Sequence, residues 1–295
     1  MIVLDTDYAK ARVFLRAQVK HIEVILVGCG GTGSWLAPAL VRLARATTHL
    51  RVDLTFVDHD RIEEANLVRQ NFPDAHIGWN KAKSLAIRYG FGWGIEAAYV
   101  PHRFDAMYVQ PAKDKHTLIV GCVDNAAGRN AIHRAVAKWP GEITWLDCGN
   151  FEESGQVAIG NASHLGDLVG AFDLQGFCTR LPVVFWLRQN LRHAQPEELV
   201  DSTLSCEHIA ARNAQAFSVN DFVARIAAHY VNGWITGTLK HFITTFNLKT
   251  LSMRSLAITP ERVLAEMQTD DGRPATWTTE VFKRVRSARS KSHTP

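Results

Sequence analysis

Val24-Ile25-Leu26-Val27-Gly28-Cys29-Gly30-Gly31-Thr32-Gly33-Ser34 decides the fold of this 295-residue chain. Four consecutive apolar residues, three of them β-branched, read as a strand buried on both faces over residues 23–29. The glycines then force a turn. Ser34–Arg45 follows with helical periodicity, placing Trp35, Leu36, Ala39, Leu40 and Leu43 on one face. A second apolar run, Arg51–Asp58, closes a β-α-β unit of ordinary length. Gly28 permits the tight turn, Gly30 lets the backbone approach a phosphate, and Gly33 lets the helix pack on the sheet. The free N–H groups and positive dipole end at Thr32–Trp35 then face an anion. Alone, this glycine pattern is weak. Between a strand and a helix it points to a nucleotide, with a purely structural turn as the alternative. Asp58 ends the second strand, where a carboxylate commonly accepts hydrogen bonds from ribose hydroxyls.

Further along, Asn80–Tyr89 reads as a helix stopped by Gly90, and Ala97–Val100 as a short strand. Thr117–Val123 is a buried strand, and Asn125 caps a helix over Ala126–Lys138 that stops before Pro140. Glu142–Cys148 and Gln156–Ile159 read as strands, the second antiparallel. Strands alternating with helices imply an α/β fold: a Rossmann-like, doubly wound, mostly parallel sheet with antiparallel additions. Residues 161–205 are broken by glycines and prolines and suggest a functional loop region, with Val183–Leu191 a candidate helix. Residues 207–216 and Asn220–Leu239 read as helices, the second with Phe222, Ile226, Tyr230 and Trp234 as a core-facing stripe. Phe246–Ile258 looks like one strand. A single domain over 1–259 is expected, with 20–150 as the nucleotide-binding half, 151–259 as crossover loop, helices and last strands, and 260–295 as a peripheral basic tail.

Hydrophobic residues at 46%, charged residues at 21% and a net charge of +4 are ordinary for a globular protein. The tail residues Lys283, Arg284, Arg286, Arg289 and Lys291 supply the excess and read as a solvated terminus, so no nucleic-acid partner is expected. No signal-peptide pattern opens the sequence, and no run of about 18 apolar residues occurs, so no membrane association is expected. Five scattered cysteines (29, 122, 148, 178 and 206) argue against a disulfide framework and for a cytoplasmic location. No Cys-x-x-Cys pair exists, so zinc is not expected.

Beyond Asp58 the sequence becomes densely polar, with Asp60, Asn66, Arg69 and Gln70, then Lys81 at a helix start and Asp124 at a strand end. Strand C-termini line the ligand crevice of such sheets, so these residues share the rim with the glycine turn. Two cations and a carboxylate facing a phosphate cradle suit a triphosphate. Asp124 could hold Mg2+, and Arg69 and Lys81 could neutralise charge building on phosphate oxygens. Hydride transfer from a nicotinamide cofactor needs none of these three. A module that binds nucleotide without turnover remains a second alternative.

Gly28-x-Gly-Gly31-x-Gly33, Asp58-x-Asp60, Asn66-Leu67-x-Arg69-Gln70, Gly78-x-x-Lys81 and Asp124-Asn125 with Arg129 resemble, in order and near-family spacing, the ThiF/MoeB/ubiquitin-activating enzyme family. The resemblance implies a ThiF-type adenylation fold using ATP and Mg2+. It implies that Asp58 binds ribose, that Asn66, Arg69 and Lys81 contact phosphates, and that Asp124 serves the metal. It also implies adenylation of the C-terminal glycine of a ubiquitin-like or sulfur-carrier protein, with a homodimer and a conjugating enzyme as further partners. Leu204-Ser205-Cys206-Glu207 and Gln215–Asn220 look like the PRTRC-system ThiF subgroup.

Relatives pass the acyl group to a cysteine, and two stand as candidates. Cys206 precedes an expected helix, whose dipole favours thiolate. Cys178, in Cys178-Thr179-Arg180-Leu181-Pro182, resembles the thioester segment of the eukaryotic enzymes with a shorter gap to the proline. Either could instead be a buried small apolar residue. Cys29, Cys122 and Cys148 read as structural. Family dimers insert an N-terminal arginine into the partner's site. The matching position falls near Leu4, with Arg12 and Arg16 as possible substitutes.

Overall fold

The structure, a computed structural model, describes residues 6–194 and 218–267. A lead-in of α1 (Thr6–Ala9) and β1 (Val13–Phe14) precedes β2 (His21–Val27), α2 (Gly31–Ala46) and β3 (Arg51–Val57). Next come α3 (Lys81–Trp93), β4 (Ala97–Val100), β5 (Lys115–Gly121) and α4 (Ala126–Lys138). After these follow β6 (Ile143–Asn150), β7 (Ser154–Gly160), β8 (Phe177–Cys178) and α5 (Val184–Leu187). The described chain ends with α6 (Val219–Thr236), β9 (His241–Asn247), β10 (Ser252–Ala257) and α7 (Pro260–Glu266).

Eight strands form one sheet in the order β10-β9-β7-β6-β5-β2-β3-β4. Neighbours from β4 to β6 are parallel, whereas β6–β7, β7–β9 and β9–β10 are antiparallel. The α/β fold is therefore mostly parallel with antiparallel additions, as the element order implies. From β2 the chain winds through β3 to one edge, then returns to β5 on the other side of β2. That reversal opens a crevice beyond the carboxyl ends of β2 and β5, where Val27 lies opposite Gly121. α2 packs against α6, and Trp145, Trp234, Tyr230, Phe56 and Phe242 are fully buried.

Several boundaries differ from expectation for physical reasons. α3 does not stop at Gly90 but runs to Trp93 and ends at Gly94 in the left-handed conformation (φ 65°). Interior glycines cost about 1 kcal/mol each. Here the last turn is supported by Arg45, which donates to the Trp93 carbonyl at 2.8 Å. Phe246–Ile258 is a hairpin rather than one strand. Its turn contains neither Gly nor Pro; the Asn247 side chain accepts from Thr250 N at 3.0 Å and Leu251 takes φ 51°. The stripe expected on α6 holds at Tyr230 and Trp234, is half-buried at Ile226 and fails at Phe222. Steps of four residues drift by about 40° each on a 3.6-residue helix, so Phe222 is exposed while Trp234 is buried. The buried face is Val223, Ala227, Tyr230, Val231 and Trp234.

The expected helix over Val183–Leu191 is a single turn, α5, followed by a 3-10 turn at Gln189–Arg192. On α2 the buried face centres on Leu36, Ala37, Leu40 and Val41, with Trp35, Ala39 and Leu43 half-buried. The peripheral tail does not begin at residue 260. Thr259 accepts from Arg262 N and caps α7, and Val263, Leu264 and Met267 are buried. Arg262 pairs with Asp7, and Glu266 with Arg188. The helix expected at 207–216 lies outside the described residues.

Candidate functional site

The turn after β2 is held by its neighbours on both sides. Gly28 N donates to Val57 O at 2.9 Å and Cys122 N donates to Val27 O at 2.7 Å. Gly28 adopts φ 88°, and a Cβ there would lie 2.5 Å from Cys122 O. A Cβ on Gly33 would overlap the Gly28 carbonyl. These two positions require glycine for the turn and for helix–sheet contact. Gly30 is different, because the nearest atom to a Cβ there would be Gln70 Nε2 at 3.6 Å. The missing side chain at Gly30 leaves room in the cleft instead. Gly30 is also the N-cap of α2 and supplies no side-chain acceptor, so the first-turn N–H groups present a positive end to the cleft.

Asp58 joins the turn to the end of β3. Its carboxylate accepts from Cys29 N at 2.6 Å and from Asp60 N at 2.8 Å. At 8% exposure, burial pushes its carboxyl up, and the two amide donors and Lys81 pull it back only part-way. The polar string beyond is folded onto α2. Pro38 sits inside that helix and cannot donate to the Ser34 carbonyl; Asn71 Nδ2 supplies a donor there at 3.4 Å, while Asn71 N donates to Ser34 Oγ at 2.9 Å. Trp35 Nε1 donates to Arg69 O at 3.1 Å. Asn66 Oδ1 accepts from Glu63 N at 3.2 Å, making a capping box around a 3-10 turn at Glu64–Asn66.

These contacts aim side chains into one cleft of about 600 Å3. It is lined by Gly28, Gly30, Gly31, Asp58, Asp60, Asn66, Arg69, Gln70, Lys81, Asp124 and Asn125. Of the residues expected from sequence to bind a cofactor, Gly33 alone stands behind the wall. Arg69 has no carboxylate partner among the described residues, and its Nε is buried without a hydrogen-bond partner, as is Gln70 Oε1. Lys81, 6% exposed, is held by Asp60 at 3.2 Å. Asp124 is exposed at the rim. Its Oδ1 accepts from Asn125 Nδ2 at 3.1 Å, while Asn125 Oδ1 caps α4 at Gly128 N.

Sequence reasoning missed other lining residues: Arg61, His59, His102, Arg103, Arg134, Asn150 and Asn220. His102 and Arg103 follow β4, and the strand-end rule applied to Asp58 and Asp124 would have found them. Arg134 lies on the same face of α4 as Ala127 and Ala131. Asn220 closes the stretch Gln215–Asn220 that resembled the PRTRC-system subgroup, without a site role assigned to it; its Oδ1 accepts from Thr32 Oγ1 at 3.2 Å and from Asn150 Nδ2. Arg129 is not among the lining residues and pairs with buried Asp147 at 3.2 Å.

Among the described residues, one group of potential metal ligands comes together, Asp58, His59 and Asp60; Asp124 is not part of it. Both Asp58 oxygens are taken by backbone N–H groups, and Asp60 carries Lys81 and His59. The freer carboxylate is therefore Asp124, a hard oxygen donor that fits Mg2+.

Cys178 does not line the cleft. It is 0% exposed, its Sγ donates to Arg180 O at 3.1 Å, and burial pushes its thiol up to about 12. In this structure Cys178 takes the alternative reading, a buried small residue away from the cleft. Cys206 and Leu4 lie outside the described residues. Arg12 donates to the carbonyls of Phe172 and Leu174, and Arg16 to those of Ala17 and Ile235. Both guanidiniums are thus engaged within their own chain.

The sequence profile of the ThiF family matches residues 7–263. The chain belongs to the ThiF family. Solved structures share the fold. PaaA matches with a TM-score of 0.52 and 17% identity, covering 82% of this chain and 65% of its own. MccB from E. coli, solved with AMPCPP and MccA, matches with a TM-score of 0.53 and 18% identity over 81% and 65%. MccB with ATP gives 0.53 and 17% over 81% and 64%. The chain thus spans about two thirds of the length of these neighbours. No curated protein matches it significantly. Among the described residues, no helix is long and apolar enough to cross a membrane.

Proposed function

We propose that this ThiF-family chain uses ATP to adenylate the C-terminal carboxylate of a small protein. The substrate is a ubiquitin-like or sulfur-carrier protein ending in glycine, and the chain belongs to the PRTRC-system subgroup. The observation that carries this reading is Arg69, a cation without an anionic partner among the described residues, lining one cleft with Lys81, Asp124 and the first residues of α2, whose N-terminus has no side-chain cap. The neighbour MccB has been solved with ATP and with MccA, which supports a nucleotide and a small polypeptide meeting in such a cleft.

In the proposed reaction a carboxylate oxygen attacks the α-phosphorus of ATP, the bond to the bridging oxygen breaks, and pyrophosphate leaves. Asp58 takes the ribose hydroxyls, and Asn66, Arg69 and Lys81 take phosphate oxygens. Mg2+, bound through Asp124, would shield phosphate charge. The chain contributes alignment and charge stabilisation rather than covalent chemistry. Hydride transfer would leave Arg69, Lys81 and Asp124 without a role. Thioester formation on Cys206, a homodimer, a conjugating-enzyme acceptor and a cytoplasmic location complete the proposal.

The test is ATP–pyrophosphate exchange stimulated by a small Gly-terminated partner. Arg69→Ala and Asp124→Ala should each lower it about 100-fold with the fold intact. ATP binding without exchange for any candidate partner would replace this reading with a binding module that lacks turnover.

A further inference from the structure

The inner wall of the cleft carries two thiols that sequence reading treated as structural. Cys122 follows β5 and Cys148 lies within β6. The parallel register pairs Gly121 with Asp147, so the next pair along is Cys122 and Cys148. Both are free and both line the cleft, and the Cys122 thiol is close enough to Cys148 to hold its proton on. Cys122 is half-buried, whereas Cys148 is fully enclosed.

We propose that Cys122 and Cys148 form an oxidant-driven disulfide that distorts the phosphate-binding turn. A peroxide reaching the cleft meets Cys122 first. Its sulfur takes one peroxide oxygen as the O–O bond breaks, giving a sulfenic acid and water. The Cys148 sulfur then attacks the Cys122 sulfur; the S–O bond breaks, and the hydroxyl leaves with the Cys148 proton as a second water. Two thiols and one peroxide become one disulfide and two waters. The neighbouring Cys122 thiol and burial hold the Cys148 thiol well above its ordinary range, which makes this closing step slow rather than diffusion-limited.

The turn is affected because it rests on Cys122. Cys122 N donates to Val27 O at 2.7 Å. A Cβ on Gly28 would lie 2.5 Å from the Cys122 carbonyl, and one on Gly33 would lie 3.6 Å from Cys122 Cβ. A disulfide needs Cβ atoms about 3.8 Å apart, closer than opposed residues of parallel strands ordinarily stand. Closing it draws the end of β5 towards β6, and the packing around Gly28 leaves no slack to absorb the shift. The consequence for nucleotide rests on the reading of the cleft given above; the linkage itself does not.

The experiment treats the full chain with hydrogen peroxide, maps disulfides by peptide mass spectrometry, and measures binding of a fluorescent ATP analogue before and after. The expected result is a Cys122–Cys148 linkage, binding weakened at least tenfold, and recovery with dithiothreitol. Cys122→Ser and Cys148→Ser should each lose no reversible binding relative to their own untreated samples. If both thiols still alkylate after peroxide, or if binding is unchanged in the linked protein, the proposal is overturned. Absence of analogue binding before treatment refutes the nucleotide reading instead, and the mapping still decides whether the pair closes.

Discussion

The parallel half of the sheet, β2 to β6, and the antiparallel half, β7, β9 and β10, differ in where their strands end. In the parallel half, the carboxyl ends of β2, β3, β4 and β5 all reach the same rim, and the residues just after them line the cleft. In the antiparallel half, strand ends alternate, and among the described residues this half adds nothing to the cleft beyond Asn150 at the β6–β7 turn and Asn220 at the head of α6. Site and stability are therefore entangled in one half and separate in the other.

The largest expected effect lies in the parallel half. Asp147 is 1% exposed and its partner is Arg129, so Arg129→Met leaves a buried carboxylate alone and should cost about 4 kcal/mol. Burial already pushes the Asp147 carboxyl up against the pull of Arg129. Denaturant unfolding measures the loss, and adding Asp147→Leu should restore most of it. A loss under about 1 kcal/mol would show that the pair holds nothing together.

Gly33→Ala should cost about 3 kcal/mol through the clash with the Gly28 carbonyl. It should also weaken nucleotide-analogue binding, since the turn moves with the clash. Stability lost with binding unchanged would break the coupling of site and stability claimed for this half.

A smaller effect comes from pH. Burial lowers His116 and His133 to about 4, below the ordinary 6.5. Between these values the unfolded chain takes up protons that the folded chain refuses. Stability is full above pH 6.5 and falls as pH drops toward 4, on the order of 2 kcal/mol for His116 after discounting for solvent. The raised carboxyls of Asp58 and Asp147 act in the opposite sense. The decisive measurement is thus Tm against pH for the parent and for His116→Gln, with a shallower fall in the variant; parallel curves would contradict it.

The smallest effect sharpens the antiparallel side. Tyr230 OH bonds Thr244 Oγ1 at 2.8 Å, linking α6 to β9. Tyr230→Phe should cost about 1 kcal/mol and leave analogue binding as it was. A change in affinity would show that this half does reach the site.

The same division governs what could be read from sequence. Val24–Val27 and Thr117–Gly121 are buried on both faces and appear as unbroken apolar runs, so parallel strands and the positions just after them were legible. That places Asp58, Lys81 and Asp124 correctly at one rim. The β9–β10 hairpin was missed because Asn247 and Leu251 make its turn without Gly or Pro. Arg134 was missed, and Asn220 was given no site role, because helix residues reach the cleft through tertiary packing, which a local pattern does not report. The two readings of Cys178 stayed open because a short motif carries no information about enclosure.

Lys81 and Asp60 set the terms on which anything enters the cleft. A lysine left alone at 6% exposure would carry an uncompensated charge and stray from its rotamer. Asp60, itself half in solvent, neutralises and orients it beforehand. On the proposed reading, a phosphate arriving at Lys81 meets a cation whose charge is already balanced, and it shares the ammonium's three donors with Asp60 or takes that carboxylate's place.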